Sequence, residues 1–137
     1  MRSVPALSRG AAGALAALVL VLAAAASAQP LKPNYLSYVE FTSEDTPQTT
    51  GLKRSYNEAV QRYNQSLYDY HVTLEKHDQL VDVYNRSTDT AERKKTRDEA
   101  EGLRTRLTAI RRDVTLRAAG VDDAGRRAVA GGVTLPR

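Results

Sequence analysis

From Val60 to Tyr84 the chain repeats every seven residues. Aliphatic side chains stand at Val60, Leu67, Leu74 and Val81, and rings at Tyr63, Tyr70, His77 and Tyr84, with Tyr56 one step earlier. The two series interlock at steps of three and four. A strict seven-residue period keeps one narrow apolar seam on one side of an α-helix, where it needs another helix to lie against. A strand, whose side chains alternate every second residue, cannot present this pattern on one face. Residues 52–84 contain neither proline nor glycine, so one unbroken helix is predicted there. Two start signals precede the repeat: Thr46-Pro47, a cap followed by proline at the first helical position, and the capping-box spacing of Ser55 and Glu58. Gly51 places the predicted start at Leu52.

The run Asn85–Thr90 interrupts the repeat with turn and cap formers, and Asp89 followed by Glu92 has capping-box spacing. A second helix is predicted over 89–119, with its own seam at Ala100, Leu103, Leu107, Ile110 and Val114, and with Gly120 as its C-terminal cap. Arms of roughly 45–50 Å joined by a short polar loop fold back on one another. With the loop centred near Thr88, Leu74 faces Leu103, Leu67 faces Ile110, Tyr70 faces Leu107 and His77 faces Ala100. Residues 29–51 carry three prolines and polar clusters around one apolar island, Tyr35–Phe41. With no second strand to pair with it, that island reads as a strap along the helices. Residues 120–137, glycine-rich and without sustained period, read as a mobile tail. The expected fold class is therefore all-α: an antiparallel two-helix coiled-coil hairpin with a flexible N-terminal strap and a flexible C-terminal tail.

Residues 1–28 read as a targeting segment. Arg2 and Arg9 precede an alanine-rich apolar run, and Ala26-Ser27-Ala28 is a small-x-small cleavage site before Gln29. The expectation is a signal peptide cleaved at Ala28/Gln29 and a periplasmic or secreted product. An uncleaved membrane anchor and a mitochondrial presequence are the alternatives. With no cysteine in the chain, an exported product has no disulfide and no thiolate metal site, so helix packing or assembly must supply its stability. The 137 residues hold 20 basic and 16 acidic side chains. Residues 29–137 keep 18 and 16 of them, a balance too even to argue for nucleic acid.

Catalysis finds no support in the residues. There is no cysteine nucleophile, no glycine-rich phosphate loop and no histidine beside a candidate nucleophile. No cofactor-binding pattern is present, and the expectation is a protein that is not an enzyme. His71 and His77, six residues apart, lie on different helix faces and cannot form the paired ligands of a helical zinc site. His71, Glu75, Asp78 and Asp82 share a stripe that reads as a solvated acidic face, so no metal is expected. The triplets Asn64-Gln65-Ser66 and Asn85-Arg86-Ser87 match the glycosylation pattern, which carries meaning only in a eukaryotic secreted chain.

What remains is binding. The seam residues Tyr63, Leu67, Tyr70, Leu74, His77, Leu103, Leu107 and Ile110 are the candidate partner-binding surface, because tyrosine is bulkier than a closed two-helix seam usually accepts. Residues 90–119 carry nine basic against five acidic side chains, and residues 52–84 four against five. That contrast predicts charge pairing across the arms. It also offers Arg104, Arg111 and Arg112 as a face for an anionic partner, such as a membrane or a cell-wall polymer. The expected function is that of an exported scaffold or accessory subunit that binds a protein partner, or a further copy of itself, through its helices. A periplasmic holdase chaperone and a membrane-anchored coiled-coil protein are the alternatives.

Overall fold

The computed structural model describes residues 29–137; the targeting segment read over 1–28 lies outside them. Two long helices, α1 (Pro47–Arg86) and α2 (Thr90–Ala130), pack against one another as a hairpin, and no strand occurs among the described residues. At 1.5 Å per residue, helices of 40 and 41 residues extend to about 60 Å each.

Both helices begin where their caps direct. Thr46 is extended and its hydroxyl accepts from the Thr49 N–H at 3.2 Å, with Pro47 opening α1. The earlier start signal therefore prevails, Gly51 lies inside the helix, and the Ser55–Glu58 pattern is unused. The loop is three residues long. Asp89 caps α2 by accepting from the Glu92 N–H at 2.7 Å, and the Ser87 hydroxyl donates back to the Glu92 carboxylate.

The predicted end of α2 at Gly120 is corrected by eleven further residues. The helix runs to Ala130, is capped by Gly131, and turns at Gly132 with φ +89°. The reason is burial. Val121, Ala124 and Ala128 prolong the α2 seam seven, ten and fourteen residues beyond Val114, and all are buried. That outweighs the ~1 kcal/mol a helix-interior glycine costs. Residues 120–137 are therefore no mobile tail: Val133 is buried, and Leu135 packs against the same cluster.

That cluster is the core, and it sits at the end of the rod away from the loop. Val39 from the strap, Tyr56 and Val60 from α1, Val121, Ala124 and Ala128 from α2, and Val133 beyond it form a buried group. Small residues on α2 make room for rings on α1. A Cβ at Gly125 would sit 3.7 Å from the Tyr56 ring and 3.2 Å from a Leu135 methyl. Toward the loop the seam narrows to Leu67, Tyr70, Thr73 and His77 on α1 and Thr96 on α2, several of them polar. Antiparallel order is marked by Tyr56 near Gly125, by Ser66 donating to the Asp113 carboxylate, and by the Arg93 guanidinium 4.5 Å over the Tyr84 ring.

The strap is pinned rather than flexible. Asn57 and Asn64 each use a side-chain amide as a substitute peptide. The Val39 N–H donates to Asn57 at 2.8 Å and the Asn57 amide donates to the Val39 carbonyl at 2.9 Å, while Asn64 does the same for Leu36 at 2.8 and 2.9 Å. The spacing fits. Seven helical residues rise about 10.5 Å and three extended residues span about 10 Å, so two asparagines seven apart meet main-chain groups three apart. Each amide satisfies two groups that would otherwise lack a protein partner. Asn57→Ala is therefore expected to cost about 2 kcal/mol and to free residues 31–41. Limited proteolysis and amide exchange at Leu36 and Val39 check this.

Candidate functional site

The strap returns to α1 through a turn closed by Asp45. The Thr42 N–H donates to the Asp45 carboxylate at 2.8 Å, and Lys53, buried on α1, pairs with it at 2.6 Å while also donating to the Glu40 carbonyl at 3.0 Å. The Lys53 ammonium and the Thr42 N–H hold the Asp45 carboxyl below its usual value. A depressed carboxyl contributes stability above its unfolded-state pKa and loses it as pH falls through the lowered folded value. These bonds fasten the strap to α1 near Val39. At the same end, burial pushes the Tyr56 phenol up from its ordinary value.

The structure divides the predicted partner-binding residues into two sets. Leu67, Tyr70 and His77 are buried between the arms, so they hold the hairpin together and cannot be an outer contact surface. Their enclosure is reached within the single hairpin. Tyr63, Leu74, Leu103, Leu107 and Ile110 are half-buried. Tyr63 packs on the core under the strap's reach, whereas Leu74, Leu103, Leu107 and Ile110 lie in the part of the rod nearer the loop. There Leu80, Val83, Gly102 and Leu103 line an open cleft of about 590 Å³, with Lys76 and Glu99 at its rim.

Gly102 bears on how that cleft works. Three glycines inside the helices, Gly51, Gly102 and Gly120, would meet nothing with an added Cβ, so packing within the hairpin does not require them. Only Gly102 lines this cleft. Its missing side chain lowers the α2 wall and permits close backbone approach from outside.

Charge is arranged differently from expectation. Arg86–Asp82, Arg97–Asp98, Arg117–Asp113 and Arg127–Asp123 pair within one arm, and none of these bridges the two. Size complementarity, the Ser66–Asp113 bond and the Arg93–Tyr84 contact mark the register instead. Of the predicted anionic-partner face, Arg104 and Arg112 are exposed and Arg111 is half-buried. Among the described residues, no three histidine or acidic side chains are gathered as a cation site. His77 Nδ1 lies 3.1 Å from Asp78, and the Tyr70 and His71 rings meet edge to face at 5.3 Å.

Two groups of residues escaped the sequence reading. Asn57 and Asn64 carry the same seven-residue period as the seam but on the next rail of α1, which was the available signal. The strap aromatics Tyr35, Tyr38 and Phe41 are exposed, and their spacing of three was in plain view. No family model matches the chain, and neither a curated protein nor a solved structure does. Fold and site together define an all-α helical hairpin clasped by an N-terminal strap. Among the described residues, no helix is long and apolar enough to cross a membrane.

Proposed function

We propose that the protein is an exported, non-enzymatic helical hairpin that binds a partner helix along its loop-proximal half, as a scaffold or accessory subunit. One observation carries the reading. Beyond the strap the rod is only two helices thick: Leu74, Leu103, Leu107 and Ile110 on its seam stay half-buried, and Leu80, Val83, Gly102 and Leu103 line an open cleft on one side. A third helix laid in that cleft would cover Leu80, Val83 and Leu103, with Gly102 allowing the close approach. The basic residues of α2, among them Arg104 and Arg112, favour an occupant with an acidic flank. Methionine occurs only at residue 1, so the surface lacks the pliable side chains of a promiscuous clamp.

The test is a photo-crosslinking amino acid placed at Gly102 and, as a control, at the exposed Leu116, in the chain expressed in its own host. A single stoichiometric adduct from position 102, abolished by Val83→Glu and absent from position 116, supports the proposal. Equal labelling from both positions, or none from either, contradicts it.

A further inference from the structure

Half of the chain's eight aromatic residues are spent on one exposed surface. Tyr35, Tyr38 and Phe41 on the strap are 48, 51 and 53% exposed, and Tyr68 on α1 is 55% exposed. The other four, Tyr56, Tyr63, Tyr70 and Tyr84, occupy the seam series. Clustered apolar exposure of this kind marks a contact surface, where scattered exposed residues would not.

The bonding of the strap determines which edge carries the rings. Leu36 and Val39 turn their main chain toward Asn64 and Asn57. In an extended ribbon of about three residues per turn, residues three apart share an edge, so Tyr35, Tyr38 and Phe41 line a second edge, spaced by about 9 Å. Ser37 and Glu40 fall on the third. Tyr38 and Phe41 border a shallow groove of about 430 Å³ whose opposite wall is α1, with Arg54, Glu58 and Gln61. Positions 54, 58, 61, 65 and 68 form one stripe of α1 by helical spacing, which sets Tyr68 at the end of the same row. Arg54 and Glu58 are exposed and form no ion pair among the described residues.

The groove therefore offers the exposed rings of Tyr38 and Phe41, with Tyr35 further along the strap, beside one cation, one anion and an amide, all free to bond. A negatively charged surface or nucleic acid would meet Glu40 and Glu58 as well as Arg54. An apolar helix would strand Arg54, Glu58 and Gln61 away from water, at a cost. Pyranose rings satisfy both parts, because their C–H faces stack on aromatic rings while their hydroxyls donate and accept. A ring spacing of about 9 Å along an extended strap, comparable to two rings of an extended β-linked sugar chain, fits a linear polymer. We propose that Tyr35, Tyr38 and Phe41, with Arg54, Glu58 and Gln61, form a binding site for a linear, neutral β-1,4-linked glycan. This surface is separate from the loop-proximal flank and stands or falls independently of it.

The test uses the full chain with N-acetylglucosamine hexamer and cellohexaose as soluble probes, chitin and cellulose as solids, and anionic vesicles as the competing surface. Binding of at least one glycan is expected, with a change in tyrosine fluorescence. Tyr38→Ala and Phe41→Ala should each weaken it about tenfold, and Tyr38→Phe should retain most of it. Because these rings face water, helicity and melting should be unchanged, and circular dichroism checks that. Preference for chitin over cellulose, or the reverse, assigns the sugar. Absence of binding to both glycans overturns the proposal, as does undiminished binding by the Tyr38→Ala/Phe41→Ala double variant or association with anionic vesicles alone.

Discussion

A chain ending at residue 119 is expected to lose its cooperative fold. The deleted segment supplies Val121, Ala124, Ala128 and Val133, four of the seven buried members of the core, and its removal uncovers Val39, Tyr56 and Val60. Burial of two valines and several smaller apolar groups, at about 25 cal/mol per Å², amounts to on the order of 5 kcal/mol. That is comparable with the whole stability of a small domain. Circular dichroism should show depressed helicity and a broad melt, and a protease should cut the strap, whose Val39 anchor has lost its neighbours. A truncated chain that melts like the full one, with its strap protected, would restore residues 120–137 to the status of an appendage.

Leu67→Ala is expected to cost about 3 kcal/mol, within the 2–5 kcal/mol seen when a fully buried leucine is cut back to alanine. Leu67 is 1% exposed and, with Val60 at 0%, is one of the two largest side chains wholly enclosed. It stands where the seven-residue core gives way to the thinner two-helix arm. Leu103→Ala, on the half-buried flank, should cost about 1 kcal/mol by the same reasoning. Urea denaturation of the two variants separates them. Near-equal losses would mean that Leu67 is no more enclosed than Leu103 and that the division between seam and flank is wrong. The comparison also bears on any search for partners: a charge at Leu67 would disrupt the fold itself, so interface variants belong in the cleft, at the exposed Val83.

The hairpin was legible because its signals are local and redundant. The seven-residue period specifies helix, the Asp89–Glu92 cap gives the second start while Thr46-Pro47 signals the first ahead of the Leu52 start that Gly51 suggested, and a short polar loop leaves an antiparallel return as the simple outcome. The end of α2 was misjudged for a physical reason. Val114, Val121 and Ala128 continue the period, but glycine and alanine replace the large residues that make a seam conspicuous. They are small because they face Tyr56, and that fact lies in another segment of the chain. The strap was recognised as a strap, but its attachment was not. Asn57 and Asn64 look like ordinary polar positions until a main chain with matching spacing is placed beside them. The candidate partner surface was only half legible, since a repeat shows which residues lie on the seam and not how deeply each is enclosed. Leu67, Tyr70 and His77 went to the interior, while Leu74, Leu103, Leu107 and Ile110 stayed near the surface. Charge was less informative, because Arg97–Asp98, Arg117–Asp113 and Arg127–Asp123 pair within α2 and so carry no record of the opposite arm.

Stability is unevenly distributed in this reading: a firm end where strap, both helices and the last turn of chain converge, and a thinner arm running out to Ser87. Amide hydrogen exchange of the full chain, resolved by peptide, addresses that directly. The slowest amides should fall within 53–67 and 114–130, with measurable protection of Leu36 and Val39, and exchange should quicken progressively from Leu74 to the loop and from Leu103 back to it. Uniform protection along both helices, or rapid exchange across 121–133, would contradict a core built at the chain's ends.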